Sequence, residues 1–153
     1  MNLLLPAIKR AVPSFNKRPH SVEDFHRICR RQRPYIRVHE IPLGTPGYYM
    51  CEADGTPHIY INSRLKGIEW LESGYHEMGH HFLHKPVPYT LAYYYRTDPP
   101  TKQEHEAQAF AEIMLIPQSL MFEIIASPDY IEDWGFADRL FTGRRDLYAR
   151  YAV

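Results

Sequence analysis

The chain has 153 residues, of which 44% are hydrophobic and 24% charged, a composition typical of a globular protein. This length corresponds to one domain and is sufficient for a genuine core. Eighteen basic and eighteen acidic residues cancel, which argues against a general nucleic-acid or membrane-surface binder. We therefore expect no direct nucleic-acid partner and no membrane association.

Cysteine usage and the N-terminal residues predict a cytoplasmic protein. Two cysteines, Cys29 and Cys51, do not make a disulfide scaffold in a domain of this size, and we interpret both as free thiols. Leu3-Leu4-Leu5 is followed by Pro6 and then by the charged pair Lys9-Arg10, which reverses the order found in a signal peptide. No apolar stretch in the sequence approaches the length of a transmembrane helix.

The first 62 residues are predicted to contain an irregular arm, one helix and three strands. Residues 1–20 hold three prolines and scattered basic residues, which favours an irregular N-terminal arm. Ser21 and Asp24 form a capping-box pattern, which predicts a helix that ends before Pro34. Alternating apolar residues predict strands at 35–39, 48–51 and 58–61. Asp54-Gly55 between the last two strands indicates a hairpin.

The rest of the chain is predicted to be mainly helical. Apolar spacing predicts a long helix over residues 68–84, followed by a proline-rich connection at 85–100. Thr101 and Glu104 then open a second helix, which ends before Pro117. Shorter helices are predicted near 118–126, 131–141 and 144–151. The fold class is therefore α+β, with a small antiparallel or mixed sheet of about three strands packed on two long helices.

His76-Glu77-Met78-Gly79-His80 has the H-E-x-x-H spacing of a zinc hydrolase. On a helix, residues i and i+4 lie on one face, so both imidazoles can reach one metal ion. Glu77 lies between them, where a carboxylate can take a proton from a water molecule. The alternative interpretation is a surface helix whose charged residues have this spacing by chance. The apolar pattern around the motif disfavours it, because Glu77 would then be buried without a role.

Two protein ligands rarely hold a catalytic zinc, so the motif requires a third ligand elsewhere. His84 continues the i, i+4 series, but it lies about 12 Å of helix rise from His76, too far to share one ion. A metzincin would need glycine at position 83 and histidine at 86, where this chain has Leu83 and Pro86. Both solutions are excluded.

A carboxylate from the helix after Thr101 is the remaining common solution. That helix carries three glutamates, Glu104, Glu106 and Glu112. The first two flank its apolar stripe on opposite sides, whereas His105 points away. A solvated acidic first turn that favours the helix dipole is the alternative interpretation for either residue. Helical geometry leaves both Glu104 and Glu106 open as the third ligand.

Two segments also carry a family resemblance, HEMGHHFLH at residues 76–84 and EAQAFAEIMLIP at residues 106–117. They are similar to the H-E-x-G-H and E-A-x-x-F-A…L-x-P helices of the ImmA/IrrE family of zinc metallopeptidases. The similarity covers roughly residues 40–120 and implies a single zincin-like domain over residues 21–153. It also implies that the glutamate before the alanine, Glu106, is the third ligand, with Glu104 as the alternative. Gln108 is a departure, because the family often has asparagine there.

The resemblance implies a zinc-dependent endopeptidase in which His76, His80 and Glu106 hold Zn²⁺. Glu77 would act as the general base and pass its proton to the leaving amine. His84 is expected to contact the site from outside the ligand set or to pack beside it. An oxyanion also needs a donor, and the segment between the two ligand helices offers Tyr93, Tyr94, Tyr95 and Arg96. Aromatic packing is the alternative role for each of these four.

Members of the family act on transcriptional repressors. The resemblance therefore implies a helix-turn-helix repressor as partner and substrate, and a role in phage, mobile-element or stress regulation. The alternative is a regulatory or toxin–antitoxin binding partner that uses the zincin fold without peptidase activity and keeps zinc as a structural ion. Glu77 argues against the alternative, because a structural zinc site needs no base.

Overall fold

A computed structural model of the chain describes residues 5–84, 102–127 and 138–153. Its elements, in chain order, are α1 (Leu5–Ala11), α2 (Val22–Arg31), β1 (Arg37–Ile41), β2 (Gly47–Cys51), β3 (Pro57–Asn62), α3 (Gly67–Leu83), α4 (Lys102–Leu115), α5 (Gln118–Ala126) and α6 (Asp138–Tyr151). The helix α2 begins with the predicted capping box, in which Ser21 and Asp24 each satisfy the other's backbone N–H.

The three strands form a mixed sheet in the order β1-β3-β2. β1 runs parallel to β3, while β2 pairs antiparallel with it through the predicted hairpin. Ile59 and Ile61 of β3 are fully buried, and Ile61 lies against Gly74 of α3. A small mixed sheet packed on the H-E-x-x-H helix confirms the predicted α+β, zincin-like class.

The two long helices, α3 and α4, pack closely against each other. A side chain at Gly79 would place its Cβ 3.0 Å from both Cα and the carbonyl oxygen of Ala107. Glycine at this position therefore permits a separation that a larger residue would prevent. Trp70, Leu71, Tyr75 and Met78 of α3 are buried, whereas Phe82 and Leu83 are only half-buried.

The N-terminal residues, predicted as an irregular arm, contain one short helix followed by an irregular stretch over residues 12–20. Residues Leu5–Ala11 form α1, and Pro6 lies in its first turn, where proline costs no helical hydrogen bond. Val12 and Phe15 beyond it are buried, and the Phe15 ring stacks on Phe110 of α4 with centroids 5.5 Å apart. This segment thus contributes to the core around α4.

The C-terminal helix also differs from the prediction. Two helices were expected at 131–141 and 144–151, but α6 runs unbroken from Asp138 to Tyr151, and residues 128–137 lie outside the described ranges. Gly143 does not end the helix; it allows α6 to approach the carboxylate of Glu112. Arg144 next to it is fully buried, and its Nε donates to the carbonyl oxygen of Ile116 at 2.6 Å.

No single helix among the described residues has both the length and the apolar character needed to cross a membrane. Only α4 and α5 taken together pass such a test, and they are bent by 69° relative to each other.

Candidate metal centre

The two motif histidines lie on one face of α3, as their spacing predicts. Their Nε2 atoms are 3.3 Å apart, and their ring centroids are separated by 5.0 Å. The side chains of His76 and His80 are 18% and 15% exposed, so the face that they share still opens towards solvent.

Glu104 of α4 meets both histidines from the opposite helix. Its Oε2 lies 3.2 Å from Nε2 of His76, and its Oε1 lies 3.3 Å from Nε2 of His80. Among the described residues, these three side chains are the group whose ligand atoms converge closely enough to hold a metal ion. The structure thus brings together the alternative ligand that the sequence left open.

Glu106, which the family resemblance favoured, does not reach this cluster. Its Oε2 lies 3.1 Å from Nε2 of His84, and its Oε1 lies 3.8 Å from Nζ of Lys102. Two residues along a helix differ by about 200° around its axis, so Glu104 and Glu106 cannot point at the same place. The described geometry therefore favours Glu104 over Glu106 as the third ligand.

The donor set fits a zinc ion. Tetrahedral zinc with ligands at about 2.0–2.1 Å places its ligand atoms about 3.3 Å from one another. The two Nε2 atoms, 3.3 Å apart, match this spacing, and a ligand oxygen of Glu104 lies within 4.8 Å of both. Two histidines and one glutamate are also a common catalytic ligand set that leaves a fourth position open.

The pKa values of Glu104 and His76 both favour a positive charge at the cluster. Hydrogen bonds with His76 and then His80 hold the pKa of Glu104 well below its usual range. Burial lowers the pKa of His76, but the hydrogen bond with Glu104 and the charges of Glu77 and Glu104 outweigh burial, so its pKa is raised. A proton and a metal ion would therefore compete for Nε2 of His76.

Glu77 is almost completely buried, at 3% exposure, between the metal-binding face and the sheet. A Cβ at Gly47 of β2 would lie 3.2 Å from Cγ of Glu77 and 2.6 Å from Oγ of Ser73. The backbone of β2 therefore runs directly beside the predicted base. Only glycine permits this contact without a shift of the strand or the helix.

The Nδ1 atoms of His76 and His80 are also hydrogen-bonded. Nδ1 of His80 lies 3.0 Å from Nδ1 of His84, whose Nε2 contacts Glu106. Nδ1 of His76 lies 3.1 Å from Oε1 of Gln108. Hydrogen bonds of this kind set the tautomer and ring orientation of a ligating histidine. The structure places His84 at the outer nitrogen of His80.

The remaining candidates from the sequence, Tyr93, Tyr94, Tyr95 and Arg96, lie outside the described residues. Their role as donors to an oxyanion stays a prediction.

The sequence analysis predicted no role at the site for three neighbouring residues, which are Gln108, Glu72 and Arg139. Gln108 donates from Nε2 to Oε1 of Glu72 at 3.0 Å, and Arg139 of α6 donates to both oxygens of Glu72 at 2.6 Å. Spacing in the sequence could have indicated Glu72 and Gln108, because each lies four residues from a candidate ligand. Glu72 precedes His76 by one such step, and Gln108 follows Glu104 by one.

The chain is similar to a known family of peptidases. The peptidase M78 family, described as the IrrE N-terminal-like domain, matches residues 31–151. The chain belongs to this family. The match confirms the ImmA/IrrE resemblance and extends it beyond residues 40–120, to include β1 and α6. No curated protein and no solved structure matches the chain.

Proposed function

We propose that this IrrE-like protein is a zinc-dependent endopeptidase that cleaves a helix-turn-helix repressor. His76, His80 and Glu104 would hold the ion, and Glu77 would act as the general base. The observation that carries the proposal is the convergence of His76, His80 and Glu104, whose ligand atoms lie within 4.8 Å of one another, next to a buried glutamate. Membership of a peptidase family supports a peptide bond as the target.

The ligand side chains are arranged for a metal-assisted hydrolysis. When bound, zinc supplies Lewis acidity, which makes a water molecule easier to deprotonate and polarises a carbonyl group. Glu77 takes the proton from the attacking water and delivers it to the nitrogen of the leaving amine. His76 and His80 would hold the ion as neutral rings, with Gln108 and His84 accepting their Nδ1 protons.

The choice of substrate rests on the family. Members of the ImmA/IrrE family act on transcriptional repressors, and a regulatory role suits a protease of 153 residues. A helix-turn-helix protein encoded beside this chain is therefore the first substrate to test. Cleavage there would change gene expression under phage, mobile-element or stress control.

Co-expression of the two proteins tests this function directly. The wild-type chain should give a discrete cleavage product of the repressor, whereas Glu77→Gln should give none. Zinc content, measured by mass spectrometry of the purified proteins, should be equal in both. Glu123→Gln is the matched control, because Glu123 is an exposed glutamate on α5 and its loss should change neither readout.

An intact repressor bound tightly to zinc-loaded wild-type protein would overturn the proteolytic function. It would support the binding-partner alternative, in which zinc is structural. Cleavage that persists in Glu77→Gln would instead remove Glu77 from the role of base.

A further inference from the structure

A hydrogen-bonded chain leads from the metal face to the C-terminal helix. Nδ1 of His76 contacts Oε1 of Gln108 at 3.1 Å, and Nε2 of Gln108 donates to Glu72 at 3.0 Å. Arg139 of α6 then donates to both carboxylate oxygens of Glu72. Four residues on three helices, α3, α4 and α6, are thus connected in series.

The amide of Gln108 could in principle face His76 with either its oxygen or its nitrogen. An oxygen there accepts the Nδ1 proton of His76 and leaves the Nε2 lone pair for a metal ion. A nitrogen there would donate to Nδ1 and move the ring proton to Nε2, where it would block coordination. The orientation of one side-chain amide therefore decides whether His76 can act as a ligand.

Glu72 removes this ambiguity. An ionised carboxylate only accepts hydrogen bonds, so it can face the amide nitrogen of Gln108 but not its oxygen. Arg139 holds Glu72 in place by a two-point contact, the strongest geometry between a guanidinium and a carboxylate.

We propose that Glu72 and Arg139 are positioning residues for His76, acting through the amide of Gln108. The inference rests on the proposed function in one respect, that His76 binds zinc through Nε2. It makes α6 part of the metal site, although α6 contributes no ligand. It also explains why a glutamate at 12% side-chain exposure lies one helical turn before the first ligand.

A purely structural role for the Glu72–Arg139 ion pair is the competing explanation. The Arg139 side chain is 64% exposed, and exposed ion pairs contribute little to stability. The two explanations differ in whether the effect of the Glu72–Arg139 contact depends on Gln108. A positioning role acts only while Gln108 is present, whereas a structural role does not depend on Gln108.

A double-mutant cycle on zinc affinity separates the two roles. Affinity would be measured by competition with a chromophoric chelator in wild type, Gln108→Leu, Glu72→Gln and the double variant. Gln108→Leu should weaken zinc binding about 10- to 100-fold, the usual effect of losing such a contact. Glu72→Gln should weaken it by a smaller factor, because its amide can accept or donate. In the Gln108→Leu background, Glu72→Gln should cause no further loss.

Arg139→Met extends the cycle to α6, and Arg150→Met is its matched control on an exposed turn of the same helix. Arg139→Met should weaken zinc binding, whereas Arg150→Met should leave it unchanged. Equal losses from Glu72→Gln in both backgrounds, or no loss in either, would overturn the inference. Urea unfolding of the zinc-free proteins checks that all variants fold.

Nitrogen NMR of His76 gives a readout that needs no metal. In zinc-free Glu104→Ala protein, which lacks the carboxylate that favours a proton on Nε2, the neutral His76 ring should carry its proton on Nδ1. Adding Glu72→Gln should give a mixture of tautomers, and an Nδ1 tautomer equally populated in that variant would contradict the inference. If the Nδ1 tautomer is found but wild type binds no zinc, the proposed function fails while the positioning role stands.

Discussion

Oε2 of Glu106 lies 3.1 Å from Nε2 of His84, one helical turn beyond the second motif histidine. The two glutamates of α4 thus meet α3 at different heights, Glu104 at the ligand histidines and Glu106 at the residue behind them. Burial lowers the pKa of His84, which keeps its ring neutral and able to accept the Nδ1 proton of His80. Glu106 is thus connected to the second motif histidine through His84.

This relationship predicts different effects for the two glutamates. Glu104→Ala should weaken zinc binding by more than the about 10- to 100-fold typical of an outer contact, because it removes a ligand atom. Glu106→Ala should stay within that range, because three ligands remain. Chelator competition at pH 7 measures both. Loss of zinc from Glu106→Ala with full occupancy in Glu104→Ala would restore Glu106 as the ligand.

Gly47 is expected to tolerate no side chain. In Gly47→Ala the new Cβ would meet Oγ of Ser73 at 2.6 Å and the carbonyl oxygen of Tyr60 at 2.7 Å. The resulting shift should lower the free energy of unfolding by about 1–3 kcal/mol and slow cleavage, because Glu77 lies beside the strand. Gly44→Ala is the control, since nothing lies within 4 Å of its Cβ position. Urea unfolding that shows equal stability for both variants would contradict the prediction.

Zinc binding should release a proton near neutral pH. The pKa of His76 is raised above its ordinary value of 6.5, so part of the population is protonated at pH 7 and must lose that proton to coordinate. Affinity should therefore fall as the pH drops through the pKa of His76. Calorimetry in two buffers with different ionisation enthalpies measures the released protons. A binding heat that is the same in both buffers would show that His76 is already neutral.

Acid should weaken the fold through the start of α2. Hydrogen bonds from Arg18 hold the pKa of Asp24 well below the ordinary 3.8, so the ionised form is the one that stabilises the folded state. This contribution is complete above the unfolded-state pKa and is lost as the pH falls towards the folded-state pKa. Asp24→Asn should therefore lower the free energy of unfolding by about 2 kcal/mol at pH 6.

The difference between wild type and Asp24→Asn should shrink steadily as the pH falls below 3.8, because the carboxyl is then protonated in the unfolded state and must lose that proton on folding. Urea unfolding at several pH values measures it. The exposed Asp146 of α6 provides the control variant, Asp146→Asn, whose stability should follow that of wild type. A pH-independent deficit in Asp24→Asn would rule out the charge as the cause.

Local spacing was sufficient to predict what depends on one helix or one turn. His76 and His80 share a face because four residues nearly complete a helical turn, and Ser21 and Asp24 form the capping box for a similar short-range reason. Proline content was a weaker guide. Pro6 was interpreted as a sign of irregular structure, but proline in the first turn is compatible with α1.

The sequence by itself determined the H-E-x-x-H motif, the α+β class and the family, because each depends on residue types at short, regular spacing. Only the tertiary structure favours Glu104 over Glu106. That choice depends on how α4 is rotated about its own axis against α3, and the close contact of Gly79 with Ala107 sets this packing. The link from Arg139 through Glu72 to His76 was likewise decided by packing, since it joins residues more than 60 positions apart in the chain.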